Sequence, residues 1–443
     1  MDGALSGRDL VTSPRTLTAS TYEEALEYLF ARTTGGFKFG LDRTIALLQV
    51  LGDPHREFPA IHVAGTNGKG SSVAIVEAVL RAKGLRVGKY TSPHLVDFRE
   101  RIVVDGRCIS AEEVVEFVRQ WTPTVESLGA TFFEATTALA FAHFARRVVD
   151  VAVVETGLGG RLDSTNVIIP VAAGVTTIDY DHMEYLGSTL EQIAAEKAGI
   201  YKRGRPAVIG EEDAGVRNVL AQHARDAGAI PIRVVADECV ISDVRVSAAG
   251  TEFTLEALGE RRQLRTPLAG RHQASNAAFA LILLDAAGPP YAATLDEAAR
   301  HLGDVSVAGR FQRVGVYIFD VAHNPEGSTV LAQTLAAVQP ATPVVALFSV
   351  LADKDWKHMM RQLAPFVSRF ILTTAPSAPR GRAWNPDDAK AFADSESIPA
   401  DLIRDFDDAL GRAASLGATV LVTGSFHTVG DAMARLQLSP LAL

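Results

Sequence analysis

Apolar runs of strand length alternate with amphipathic stretches along most of this chain. Residues 59–64 predict a strand, 71–83 a helix and 85–90 a second strand. Residues 148–155 are nearly all apolar, as expected of a strand covered on both faces of a parallel sheet. A strand at 170–178 and a helix at 189–198 follow. This alternation predicts an α/β fold in which a doubly wound, mostly parallel sheet carries a phosphate loop. Between 230 and 267 the pattern shortens into alternating runs, which predict a small antiparallel sheet appended to that domain. A helix is expected at 274–285, overlapping the richest apolar stretch, 277–288, which reads as a buried helix. The β–α rhythm then restarts, with strands expected at 315–320, 343–350, 369–374 and 418–423, giving a second, Rossmann-like α/β domain. The boundary falls near 305–309, so the domains are expected at 1–305 and 306–443, with no internal repeat.

Composition narrows the function classes. The 443 residues suit two or three domains at about 150 residues each. A chain 47% hydrophobic and 21% charged is ordinary for globular cores. The net charge of −9 argues against nucleic acid as a partner and requires any positive charge for anionic substrates to be concentrated locally. The two cysteines, Cys108 and Cys239, fit reduced thiols rather than a disulfide framework. The first twenty residues hold no apolar core of signal-peptide length, and no run approaches the roughly 18 apolar residues of a membrane span. A cytoplasmic monomer that binds neither nucleic acid nor membrane is expected.

The most informative segment is IHVAGTNGKGSSVAIVEAVLRAKG, a strand running through a glycine-rich turn and a lysine into a helix. Val73, Val76, Val79 and Leu80 line one face of that helix, and Gly84 is placed to stop it. Glycines let backbone N–H groups converge on phosphate oxygens, the helix N-terminus adds positive potential, and Lys69 adds a full charge. The pattern GxxxxGK[ST] is not met: its first glycine position holds Val63, and Gly70 follows the lysine, displacing the hydroxyl to Ser71. Glu155 ends an apolar strand, where a charge has no core role, and a carboxylate at a C-terminal strand end faces the ligand crevice of an open sheet. Asp179, Asp181 and His182 follow the next strand, and Ser92 follows the strand ending at Tyr90. Loop polarity and a helix cap are the alternative account of these residues from sequence alone. Asp320 and His323, in DVAHN, read either as an ordinary capped turn or as a site.

The variant Gly65-Thr66-Asn67-Gly68-Lys69-Gly70-Ser71 resembles the phosphate loop of the Mur ligase superfamily, and HVAGTNGKGSS resembles the bifunctional dihydrofolate synthase/folylpolyglutamate synthase family within it. KYTSPHLVDFRERI, FFEATTALA, ETGLGGRLDSTNV, DHMEYLG, AAEKAGI, DVAHNPEG, LADKDW and TGSF extend the match in the family's order from about residue 20 to 430. The resemblance implies an ATP-dependent acid–amino-acid ligase that adds L-glutamate to dihydropteroate, and to reduced folates, through an acyl phosphate. It implies ATP held by residues 65–71 and, from the interdomain side, by Asn276, Arg310 and Asp320. It implies two Mg²⁺ sites drawn from Ser92, Glu155, His182 and a Lys197 that is carbamylated. Lys69, Lys197, Asp320 and His323 are then the catalytic candidates, with His323 also on the substrate. The RLDSTN segment resembles enzymes that accept dihydropteroate, which makes Thr131, Phe133 and Asp163 candidate pterin contacts; an aromatic in an apolar stretch, such as Phe133, is equally a core residue. Tyr180 stands where many relatives are expected to carry histidine or an aliphatic residue. Two alternatives stay open. A cell-wall Mur ligase shares the loop but is expected to need a further N-terminal domain, and about 60 residues precede the loop here. A nucleotide-binding switch without ligase activity shares only the loop.

Overall fold

The computed structural model describes residues 19–33 and 40–442, so the reading of the first twenty residues lies largely outside them. Eight strands form the first sheet: β1 (Ala60–Ala64), β2 (Val87–Tyr90), β3 (Ile102–Val104), β4 (Arg107–Cys108), β5 (Val151–Glu155), β6 (Ala172–Val175), β7 (Ala207–Ile209) and β8 (Ile232–Val234). Their order is β4-β3-β2-β5-β1-β6-β7-β8. The pairs from β2 through β8 are parallel, and β3 and β4 add an antiparallel margin.

Every residue of β1 and β5 is buried, because helices cover both faces. Ile61 and Val63 share a core with the helices Lys69–Ala82 and His272–Ala287. Ala60 packs on the opposite face with the helices Ala111–Ser127 and Phe132–Arg146, and Ala64 on that face with Leu190–Ala198 and Ala214–Asp226. A second sheet, β9 (Val240–Ser247), β10 (Gly250–Ala257) and β11 (Glu260–Thr266), is antiparallel. The third, β12 (Gln312–Val314), β13 (Tyr317–Asp320), β14 (Val344–Phe348), β15 (Arg369–Leu372), β16 (Ala400–Leu402) and β17 (Thr419–Thr423), runs β12-β13-β17-β14-β15-β16, parallel except for the β12–β13 hairpin. The α/β class, the mostly parallel sheet, the small antiparallel sheet and the second α/β unit are all present.

Several boundaries differ from the sequence reading. The helix after β1 starts at Lys69 rather than at 71, because Gly68 at φ +87° serves as its N-cap. Val148 turns at φ +50° and is 72% exposed, so the following strand begins only at Val151. The 230–267 stretch is not wholly antiparallel: β8 joins the main sheet in parallel, and the antiparallel sheet starts at Val240. The three-residue strands β12 and β16, too short for a period-2 signal, went unread. No helix among the described residues is long and apolar enough to cross a membrane.

Candidate active site

The C-terminal end of β1 lies between β5 and β6, and the loop 65–68 emerges there. The segment after β6 holds this loop. Thr66 N–H donates to the Thr177 carbonyl at 2.7 Å, and Asp179 N–H to Thr66 Oγ1 at 3.0 Å. Thr176 Oγ1 donates to the Asn67 carbonyl at 2.7 Å. A Cβ at Gly65 (φ +148°) would stand 1.8 Å from Thr176 Oγ1, and one at Gly68 would stand 2.5 Å from Asn276 Oδ1. Glycine is therefore required at both positions by conformation and by close approach. Ser71 is buried in the first turn of the helix. Asn276 Nδ2 donates to Gln273 Oε1 at 3.0 Å, so its other amide atom faces the loop.

Two lysines share one acceptor. Lys69 Nζ donates to the Gly65 carbonyl at 3.0 Å and to that of Thr66 at 3.1 Å, and Lys197 Nζ donates to the Gly65 carbonyl at 2.9 Å. Lys69 Nζ also lies 3.9 Å from Glu155 Oε1. Lys197 is 5% exposed, near the end of the helix Leu190–Ala198 and sharing its buried face with Ile193. Burial, then the charge of Lys69, pushes the Lys197 amine down to about 7 against the opposing pull of Asp181 and Asp163. Burial raises the Glu155 carboxyl, while Lys69, Arg310 and the Ser92 N–H (3.4 Å away) oppose the shift.

A cleft of about 410 Å³ runs past Gly70, Ser92, Glu155, Arg310 and Phe426, and so is lined by both domains. Arg310 lies over the Phe426 ring, 5.6 Å from its centroid. Asp320 takes the Phe311 and Ala322 N–H groups, each at 2.9 Å; burial raises its carboxyl against the charge of Arg310. His323 Nδ1 donates to the Val321 carbonyl at 2.9 Å and presents Nε2 to Asp181 Oδ2 at 3.4 Å. Lys354 Nζ also bonds Asp181, and the Asn67 side-chain amide donates to Glu326. Burial alone would raise the Asp181 carboxyl, but His323, His182 and Lys354 outweigh it and hold it far below the usual carboxylate range. Burial lowers the adjacent His182 ring to about 4, leaving a neutral imidazole beside Asp181.

The pterin-side candidates are also neighbours. Thr131 caps the helix Phe132–Arg146, and its hydroxyl accepts from Glu134 N–H. The Phe133 ring lies against Gly157, where a Cβ would come within 2.3 Å of it. Asp163 accepts from Gly157 N–H, Leu158 N–H, Thr165 N–H and the Thr165 hydroxyl, all within its own loop. A direct contact with a pterin would have to share an oxygen with one of those donors.

Asp181 is one of the loop polars in the sequence, yet it is a point where the second domain docks, through Lys354 and His323. Lys354 and Glu326 lay inside recognised segments without any pattern that assigned them a role. The hydroxyls of Thr176 and Thr177, at the end of an apolar strand, were the available signal for the loop's support.

Among the described residues no three His, Cys, Asp or Glu side chains converge as a metal cluster. The donors present still fit Mg²⁺, which retains waters and takes phosphate oxygens, and so needs few protein ligands. Glu155 and Ser92 stand beside Lys69, and His182 is neutral.

Residues 63–284 match the Mur ligase middle domain and residues 309–426 the Mur ligase glutamate ligase domain. The dihydrofolate synthase/folylpolyglutamate synthase of Bacillus subtilis (strain 168) is 36% identical over 440 residues, covering 94% of this chain and 100% of that protein. The structure of Escherichia coli FolC in complex with DHPP and ADP superposes with a TM-score of 0.82 at 30% identity, covering 95% of this chain and 98% of that one. The bifunctional folylpolyglutamate synthase/dihydrofolate synthase of Yersinia pestis, complexed with AMPPNP and Mn ion, gives a TM-score of 0.82 at 32% identity, covering 95% and 99%. These matches favour the folate branch over a cell-wall ligase or a nucleotide switch. The chain belongs to the dihydrofolate synthase/folylpolyglutamate synthase family of Mur ligases.

Proposed function

We propose that this chain is an ATP-dependent ligase that joins L-glutamate to dihydropteroate, and to reduced folates, through an acyl phosphate. The observation that carries this reading is the meeting of the loop lysine, Glu155, Lys197 and His182 with Arg310, Asp320 and His323 of the second domain around one interdomain site. Family membership supplies the substrate class.

The loop 65–71 receives the triphosphate through its N–H groups, and Asn276, Arg310 and Asp320 hold the nucleotide from the facing side. The substrate carboxylate attacks the γ-phosphorus, the bond to the β–γ bridging oxygen breaks, and ADP departs. Lys69 offsets the charge gathering on that oxygen. The glutamate amine then attacks the acyl carbon, loses a proton and expels phosphate, leaving an amide. His323 lies on the second-domain side of this step. Closure around Asp181 excludes water, which would otherwise hydrolyse the acyl phosphate.

Ser92 and Glu155, and at a second position His182 and Lys197, would hold Mg²⁺, which would neutralise phosphate charge there. An amine near 7 is neutral in about half of the molecules at that pH, against about one in a thousand for an ordinary lysine. The neutral Lys197 amine adds to CO₂ and releases a proton, becoming a carbamate that ligates as a carboxylate does. Phe133 offers a face to the pterin, and Thr131 and Asp163 border it. The division at 305/306, a monomeric state, a cytoplasmic location and the absence of a nucleic-acid partner belong to the same proposal. The test is a product assay with dihydropteroate and tetrahydrofolate offered separately, each with ATP, Mg²⁺ and glutamate. Each acceptor should gain one glutamyl residue; failure of both overturns the reading, and failure of one restricts it to the other.

A further inference from the structure

Under the loop that follows β5 runs a buried polar chain that none of these steps uses. His62 lies in the middle of β1, fully buried, on the sheet face opposite Ile61 and Val63. Its Nε2 lies 2.8 Å from Thr165 Oγ1. The Thr165 hydroxyl donates to Asp163 Oδ1, and the Thr165 N–H donates to the same oxygen at 3.0 Å. A hydroxyl has one hydrogen, and this one is spent on the carboxylate, so the imidazole must be the donor to Thr165. The tautomer is thereby fixed, with hydrogen on Nε2 and none on Nδ1. Nδ1 is buried without a partner. Burial, with the charge of Lys202 nearby, pushes the ring down to about 3, so it stays neutral.

Beyond Thr165 the chain reaches the Phe133 ring, the proposed pterin face. Asp163 Oδ2 takes the N–H groups of Gly157 and Leu158 at 2.9 and 2.8 Å, and Gly157 packs against the Phe133 ring. A second brace runs alongside. Lys202 Nζ donates to Asn166 Oδ1 at 2.6 Å, and Asn166 Nδ2 donates to the carbonyls of Arg161 and Gly199 at 3.0 and 3.1 Å. The loop is thus tied at one end to a core strand and at the other to the turn following Lys197.

We propose that His62, acting through Thr165 and Asp163, is a positioning residue that holds residues 156–166 against Phe133 and so sets affinity for the planar heteroaromatic end of the acceptor acid. The proposal rests on the ligase reading above. His62 touches no reacting atom; through this chain it fixes the loop backbone at Gly157 against the Phe133 ring and so sets how that ring is held towards the acceptor.

The test uses the full chain. Thr165→Val removes the hydroxyl at nearly constant volume, leaving the imidazole N–H without an acceptor and Asp163 one donor short. KM for dihydropteroate should rise about tenfold, the effect of losing one hydrogen bond to a charged group, while kcat and the KM values for ATP and glutamate stay within about twofold. Thr165→Ser keeps the hydroxyl and should restore the original KM. His62→Leu should raise the same KM, and the double variant should raise it no further, because both substitutions break one chain. Unchanged dihydropteroate KM in the single variants, or equal losses in every kinetic constant, overturns the proposal. An unsubstituted protein with no dihydropteroate-dependent turnover overturns instead the ligase reading on which it rests.

Discussion

The two halves of the site are built differently. On the first domain, each group is fixed by its own neighbourhood: Thr176, Thr177 and Asp179 pin the phosphate loop, and the Gly65 carbonyl holds both lysines. On the second domain, Asp320 and His323 are oriented by backbone groups close in sequence, but the residues reach the site only across the interface. Asp181 and Asn67 of the first domain meet Lys354, His323 and Glu326 of the second. The first half is pre-organised, with its desolvation cost already met on folding. The second is held to the first by contacts between the domains, so on the proposed reading the contacts that complete the chemistry would also report domain closure.

Substitutions in the pre-organised half should therefore cost the most chemistry with the least change of shape. Lys69→Ala is expected to lower turnover by about 10² to 10⁴, roughly 3–5 kcal/mol of barrier, with the fold retained, because the lysine supports no core. Steady-state turnover and a thermal melt check both parts. Lys197→Ala should come next, losing about 10²-fold, with partial rescue by acetate or formate. Lys197→Arg should remain inactive, since a guanidinium keeps its charge and cannot stand in for a carbamate. Full activity of Lys197→Arg in the same assay would make positive charge the requirement and remove the carbamate.

The assembled half should respond through closure. Lys354 and Asp181 are both nearly buried, and removing one member leaves the other charge uncompensated. Lys354→Ala should lower turnover about 10- to 100-fold and enlarge the radius of gyration measured by small-angle scattering with nucleotide bound. Equal compactness of variant and parent would detach this pair from closure.

The smallest effect concerns stability of the pre-organised half. His62 sits near 3 in the folded chain against an ordinary 6.5, so between those values the unfolded chain binds a proton that the folded chain refuses. The stabilisation is fully present above 6.5 and is lost as pH falls through that window, by about 2 kcal/mol between 6.5 and 5. His94, near 3, and His143 and His272, near 4, add to the same slope. Urea unfolding at stepped pH should show a shallower acid loss in His62→Gln than in the parent.

This division also sets what the sequence discloses. The phosphate loop is a contiguous run whose glycines, lysine and flanking periodicity follow from local backbone needs, and Glu155 stands out because a charge ends an apolar strand. Lys197 acquired meaning only through resemblance; burial then supplied the physical reason, with the amine pushed down to about 7. Lys354 and Glu326 have no local signature, since their partners lie 173 and 259 residues away in the chain. Asp163 is a candidate pterin contact whose oxygens already accept from its own loop, a feature of hydrogen bonding that spacing does not encode. The short strands β12 and β16 escaped for a simpler reason: three residues carry too little alternation to read.

The central claim is that the two halves meet to couple ATP cleavage to amide formation. The most direct measurement is ADP release with each component withheld in turn. Rapid release should require dihydropteroate or a reduced folate, L-glutamate and Mg²⁺ together, with glutamylated product formed one for one with ADP. Rapid ATP hydrolysis indifferent to both organic substrates would contradict the account.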